Sequence, residues 1–125
     1  MLKNKFKIEN LEIHVSHGCN FTCTSCAHFS NQGHVGSLSP HDAEKWMLPW
    51  SKKIEPNYFS LLGGEPTLNK DLVSIVYLSK ELWPNSKNRL VTNGFFLHRH
   101  LELPRALSVT KTRLAISIHH DSDEY

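Results

Sequence analysis

The sequence predicts an α/β fold with parallel strands, and three observations predict it. Short β-type runs alternate with segments of helical period, the pattern of βαβ units joined by right-handed crossovers. In the first run (residues 11–16, LEIHVS) and the last (residues 113–118, RLAISI), apolar and polar side chains alternate. A parallel sheet covered on both faces would instead read as continuous apolar runs, so one face here is polar and lines a cavity. Finally, every run is followed by residues able to do chemistry: cysteines, then Gly-Gly-Glu-Pro, Asn-Gly and His-His. Parallel α/β folds collect ligands at that end of their strands.

The elements follow in order. Leu11, Ile13 and Val15 share one face of the first strand and leave Glu12, His14 and Ser16 on the other. A long connection rich in Gly and Asn then carries the cysteines. Ser39-Pro40-His41-Asp42 reads as a helix start, with a hydroxyl at the N-cap, proline in the first turn and carboxylates following. Trp46, Met47, Trp50 and Ile54 continue at near-helical spacing; the two tryptophans are expected to pack on the sheet, and Pro49 to kink or divide the helix.

Residues 58–62 (YFSLL) form the second strand, bounded by Pro56-Asn57 and Gly63-Gly64. Leu72, Ile75, Val76, Ser79 and Leu82 give a helix from about 69 to 83, stopped by Pro84. Residues 89–92 (RLVT) are the third strand, ending at Asn93-Gly94. A short helical stretch interrupted by Pro104 leads to the fourth strand.

The 125 residues suffice for one domain with a real core and are too few for two, so residues 1–125 read as a single unit with its core at about 11–118. Hydrophobic content of 39%, charged content of 21% and a net charge of +2 are near globular averages, which speaks against disorder and against an electrostatically driven nucleic-acid role. The cluster Lys3, Lys5, Lys7 reads as a solvated arm. No apolar run approaches a membrane span and the N-terminus shows no signal-peptide core, so a cytoplasmic location is expected.

All three cysteines fall within Cys19-Asn-Phe-Thr-Cys23-Thr-Ser-Cys26. An odd number packed this closely reads as a metal or cluster site in a reducing compartment, where thiolates select zinc, copper(I) or iron–sulfur clusters. His17, His28 and His34 are available to complete a zinc shell, but none stands at a customary zinc-finger spacing. A three-thiolate centre with one open position fits the spacing better.

This cysteine pattern resembles the signature of the radical S-adenosylmethionine (SAM) enzymes. The resemblance implies that Cys19, Cys23 and Cys26 hold a [4Fe–4S] cluster whose remaining iron takes the amino and carboxylate groups of SAM. It also implies reductive SAM cleavage to a 5′-deoxyadenosyl radical that abstracts hydrogen from a substrate. Gly63-Gly64-Glu65-Pro66 is similar to the family's GGEP motif, which recognises the amino group of the SAM methionine, and Thr92-Asn93-Gly94 to the TNG that often ends the third strand. Ser117 occupies a position from which many relatives contact SAM. The family's aromatic residue before the last cysteine is replaced here by Ser25, which leaves the adenine contact unassigned.

Its implied fold is a partial parallel (βα) barrel of about four strands, and its implied partners are an electron donor such as flavodoxin or ferredoxin and a substrate the sequence does not identify. His14 and His119, on the polar strand faces, are candidates for substrate or cofactor contact. Relatives commonly wrap six strands, so the fourth strand here is expected to be an open edge that favours oligomerisation or a completing partner. Two other readings stay open: a non-catalytic iron–sulfur or zinc module, and an inactive shortened copy.

Overall fold

A computed structural model describes residues 5–16 and 37–118. Its elements are β1 (Phe6–Ser16), α1 (Pro40–Ser51), β2 (Ile54–Gly63), α2 (Leu72–Leu82), β3 (Lys87–Thr92), α3 (Leu103–Thr110) and β4 (Arg113–Ile116), with 3-10 turns at Pro66–Leu68 and Leu97–Arg99. The strands pair in chain order, β1-β2-β3-β4, and every pairing is parallel. Right-handed crossovers that always step the same way across a sheet put every helix on one face, the winding of a barrel rather than of a doubly wound sheet.

The core agrees. Val15, Phe59, Leu61 and Leu90 from the strands pack with Ala43 and Met47 of α1, Leu72, Ile75 and Val76 of α2, and Leu103 and Ala106 of α3. The register places Leu11 beside Phe59, and Ile13 beside Leu61, which in turn pairs with Leu90, so these side chains share the helix-covered face. The opposite face carries Glu12, His14, Tyr58, Lys87, Arg89 and Arg113, all exposed. The polar, cavity-lining face expected from the alternation is therefore present.

Local chemistry sets the boundaries. The Ser39 hydroxyl accepts from the Asp42 N–H at 3.1 Å and caps α1 as expected. Pro49 neither divides nor ends α1, which runs on to Ser51, because it falls in the last turn where little helix remains to disrupt. Trp46 and Trp50 are 68% and 50% exposed, contrary to the core role expected of them. Ala43 and Met47, four residues apart, take the buried stripe instead. Trp83 is the core tryptophan, 1% exposed, tilted against Phe59 at 5.3 Å and donating its indole N–H to the Ile54 carbonyl at 3.0 Å.

β2 begins at Ile54 and passes through Pro56, earlier than the boundary expected there. Pro104 lies in the first turn of α3 and so opens that helix rather than interrupting it. The regular part of β4 ends at Ile116.

Candidate functional site

The carboxyl ends of β1, β2 and β3 converge through contacts that fix their loops. β1 pairs with β2 as far as Ser16 opposite Gly63, after a register shift beyond His14. There the Gly64 N–H donates to the Ser16 carbonyl at 2.8 Å. Gly63 has φ +145°, and a Cβ on it would stand 2.1 Å from the Ser16 oxygen, so only glycine allows this approach. The Gly-Gly pair is thus set against the last residue before the cysteine segment. Cys19, Cys23 and Cys26 themselves, like His119, lie outside the described residues.

Asn69 holds both ends of that segment. It is fully buried, and its Nδ2 donates to the carbonyls of Val15 and Leu38, each at 2.7 Å, while its Oδ1 accepts from the Asp71 N–H at 2.8 Å. Leu38 N donates to Val15 O at 3.0 Å, and Ser16 forms an antiparallel bridge with Ser37. The chain therefore leaves the sheet after Ser16 and returns at Ser37 through a neck that one amide ties. Sequence reasoning missed Asn69. The available signal was an Asn two residues before Asp71, the spacing of an Asx turn.

Glu65 is the hub of the strand ends. It is 1% exposed, and its carboxylate accepts from four donors. Oε2 receives the Thr67 N–H at 3.0 Å and the hydroxyls of Thr67 and Thr92; Oε1 receives the Asn93 N–H at 2.7 Å. The carboxylate thereby joins the Gly-Gly-Glu-Pro turn after β2 to the Thr-Asn-Gly turn after β3, and it faces into the protein. Gly94, at φ +83°, donates its N–H to the Thr92 hydroxyl at 3.1 Å, and the Asn93 side chain accepts from Phe95 N at 2.9 Å. Ser117 is half-buried and donates its N–H to Thr92 O at 2.8 Å, bringing the chain after β4 into the same array. His100, unremarked in the sequence, donates from Nε2 to the Thr67 carbonyl at 2.7 Å and closes the 3-10 turn from below.

Of the candidates named from sequence, the structure brings together Gly63, Gly64, Glu65, Pro66, Thr92, Asn93 and Ser117 at one sheet end. His14 is exposed on the open face, one residue from the neck. The donor set fits the cofactors expected from the sequence: three cysteines in one short segment would supply soft ligands to an iron–sulfur cluster, and the adjoining turns would offer backbone groups to a polar ligand.

A family model described as the Radical SAM superfamily matches residues 13–125. A probable GTP 3′,8-cyclase of Saccharolobus solfataricus is 35% identical over 113 residues, covering 90% of this chain and 35% of the relative. One from Saccharolobus islandicus is 38% identical over 90 residues, covering 72% and 29%, and one from Sulfolobus acidocaldarius 33% identical over 91 residues, covering 73% and 28%. The chain thus spans about a third of the length of these curated relatives. Among solved structures, BtrN in complex with AdoMet and 2-DOIA superposes with a TM-score of 0.71 at 23% identity, over 94% of this chain and 48% of BtrN. That likeness shows the fold: the four parallel strands form a partial α/β barrel, in keeping with the radical SAM family match.

Proposed function

Because this chain belongs to the radical SAM superfamily, we propose that it is the cofactor-binding part of a radical SAM enzyme, with Cys19, Cys23 and Cys26 as ligands of a [4Fe–4S] cluster and residues 63–66 as the seat of the SAM methionine. The observation that carries this reading is the Glu65 hub, which holds the turns after β2 and β3 rigidly beside Ser16, the point where the cysteine segment leaves the sheet. When bound, the cofactor pair supplies reductive cleavage of SAM and a 5′-deoxyadenosyl radical for hydrogen abstraction.

The protein's own residues bind and orient. Gly63 lets β1 close against this turn, Gly64 leaves a ligand room beside the backbone, and Glu65, tied to Thr67, Thr92 and Asn93, acts on the SAM ammonium through the turn it holds in place. Thr92, Asn93 and Ser117 present the next two strand ends to the rest of SAM. The open polar face, with His14 at its upper end and His119 following β4, seats the hydrogen-donating substrate. Reduction comes from a donor such as flavodoxin or ferredoxin, in the cytoplasm. Among the described residues no helix is long and apolar enough to cross a membrane.

β4 is the edge of the described sheet; Leu114 and Ile116 on it, and Ile118 just beyond it, are 37%, 51% and 73% exposed. A further strand and helix, from the same polypeptide or a second chain, cover this edge in the active assembly.

Anaerobic reconstitution tests the central reading. The expected result is about four irons with matching sulfide per chain, and SAM converted to 5′-deoxyadenosine once the cluster is reduced. One zinc without sulfide would refute the cluster. A cluster whose electron paramagnetic resonance spectrum ignores SAM would instead make this an electron-transfer module.

A further inference from the structure

A cavity of about 670 Å³, reaching from the open face of the sheet to the segments that lead into β3 and β4, is lined by five cations, Lys80, Lys87, Arg89, Lys111 and Arg113, and by no carboxylate. Among the described residues none of the five makes an ion pair. Arg89 donates one hydrogen bond, Nη2 to the Ser60 hydroxyl at 3.3 Å; Lys80 donates to the Ser86 carbonyl at 2.9 Å; Lys87 lies 5.3 Å from the centre of the Tyr58 ring. Arg89 and Arg113 are direct register partners on β3 and β4. Like charges placed opposite each other in a sheet repel, so the arrangement is costly unless an anion sits between them. Glu12, the one acidic residue that the described strands place on this face, stands in register with Ser60, on the far side of β2 from Arg89, and lines a different cavity.

Asn88, between Lys87 and Arg89, stands in register with Phe59 and so belongs to the helix-covered face, which leaves the open face here to the cations. Guanidinium groups match phosphate oxygens in geometry and stay charged at any physiological pH.

Position says which molecule brings the anion. Arg89 precedes Asn93, and Arg113 precedes Ser117, by four residues each. At the strand rise of ~3.3 Å per residue the basic cluster lies about 13 Å below the strand ends, on the face proposed to seat substrate. We propose that this cavity binds the phosphate or polyphosphate group of a small-molecule substrate, holding it by Arg89 and Arg113 while the carbon that loses hydrogen lies at the strand ends. This inference rests on the radical SAM reading for the reacting end, but the anion site stands on its own residues.

Calorimetric titration of the reconstituted chain with inorganic tripolyphosphate tests it. The expected result is saturable one-to-one binding, weakened at least tenfold in the Arg89→Gln/Arg113→Gln double variant and unchanged in Lys45→Gln, on the exposed face of α1. Circular dichroism melts establish that the double variant is folded; Lys87→Gln, a single exposed change, should weaken binding by a smaller factor. Absence of saturable binding to wild type, or equal binding by the double variant, would overturn the proposal. So would a single-stranded oligonucleotide that binds more tightly than tripolyphosphate and is not displaced by it, which would make the patch a nucleic-acid surface. If tripolyphosphate binds as expected but SAM is never cleaved, the radical SAM reading fails and the anion site survives.

Discussion

Replacing Asn69 by alanine removes the side chain that ties the neck of the cysteine segment. Two donated bonds at 2.7 Å, to Val15 and Leu38, and one accepted bond at 2.8 Å, from Asp71, are lost from a fully buried position. At a net ~0.5–1.5 kcal/mol for each bond, the loss is about 2–4 kcal/mol. Val15 O keeps the Leu38 N–H as a partner, which favours the lower half of that range. A single domain has ~5–15 kcal/mol in all, so this is a large fraction. With a urea dependence of ~1–3 kcal/mol per molar, the unfolding midpoint should fall by about 1–2 M, measurable by tryptophan fluorescence on the cluster-free chain. Asn69→Asp discriminates further: it keeps the acceptor for Asp71 N but turns a carboxylate towards two carbonyl oxygens, so it should be at least as damaging as alanine. The same variants, after reconstitution, should lose iron to a chelator faster than wild type. An Asn69→Ala midpoint equal to wild type, or an Asp variant as stable as Asn, would refute the role assigned to the amide.

Gly63→Ala puts a Cβ 2.1 Å from the Ser16 oxygen at φ +145°, so it should destabilise by more than about 2 kcal/mol and lower iron incorporation, checked by melting and iron assay. Glu65→Gln offers an amide N–H₂ where donors already point inward; SAM binding should weaken at least tenfold with the iron content retained, as read by titration of the reconstituted protein. Phe59→Ala, in the core against Trp83, should cost about 3–5 kcal/mol in urea unfolding. In analytical ultracentrifugation the isolated chain should self-associate through its apolar β4 edge, and Ile116→Lys should reduce that association; a cooperative monomer of wild type would remove the case for a covered edge.

Much of this was legible in the sequence because it depends on neighbours along the chain. The α1 cap needs only Ser39, Pro40 and Asp42, and the two-sided character of β1 needs only the alternation from Leu11 to Ser16. The cysteines, with three and two residues between them, likewise read as a metal or cluster site from their spacing, and the resemblance to the radical SAM signature implied the cofactor class. The order of strand-end signals came through as well, since a parallel βα unit brings each loop to the same edge.

Tertiary structure alone decided which of several equivalent candidates fills a role. Three tryptophans are chemically alike, yet Trp83 is core while Trp46 and Trp50 are exposed, because the crossing of α1 over the sheet turns Ala43 and Met47 inward. Glu65 reads in sequence as a carboxylate offered to a ligand, whereas in the fold it faces four donors supplied by residues up to 28 positions away. Asn69 is one polar residue among many until β1 and the returning chain bring two carbonyls to its amide. The five cations of the basic cavity, scattered from Lys80 to Arg113 in a chain of net charge +2, become one site only when strand pairing sets β3 beside β4. Hydrogen bonding, packing and Coulomb interactions act over a few ångströms of space, and a sequence records those distances only for residues close along it.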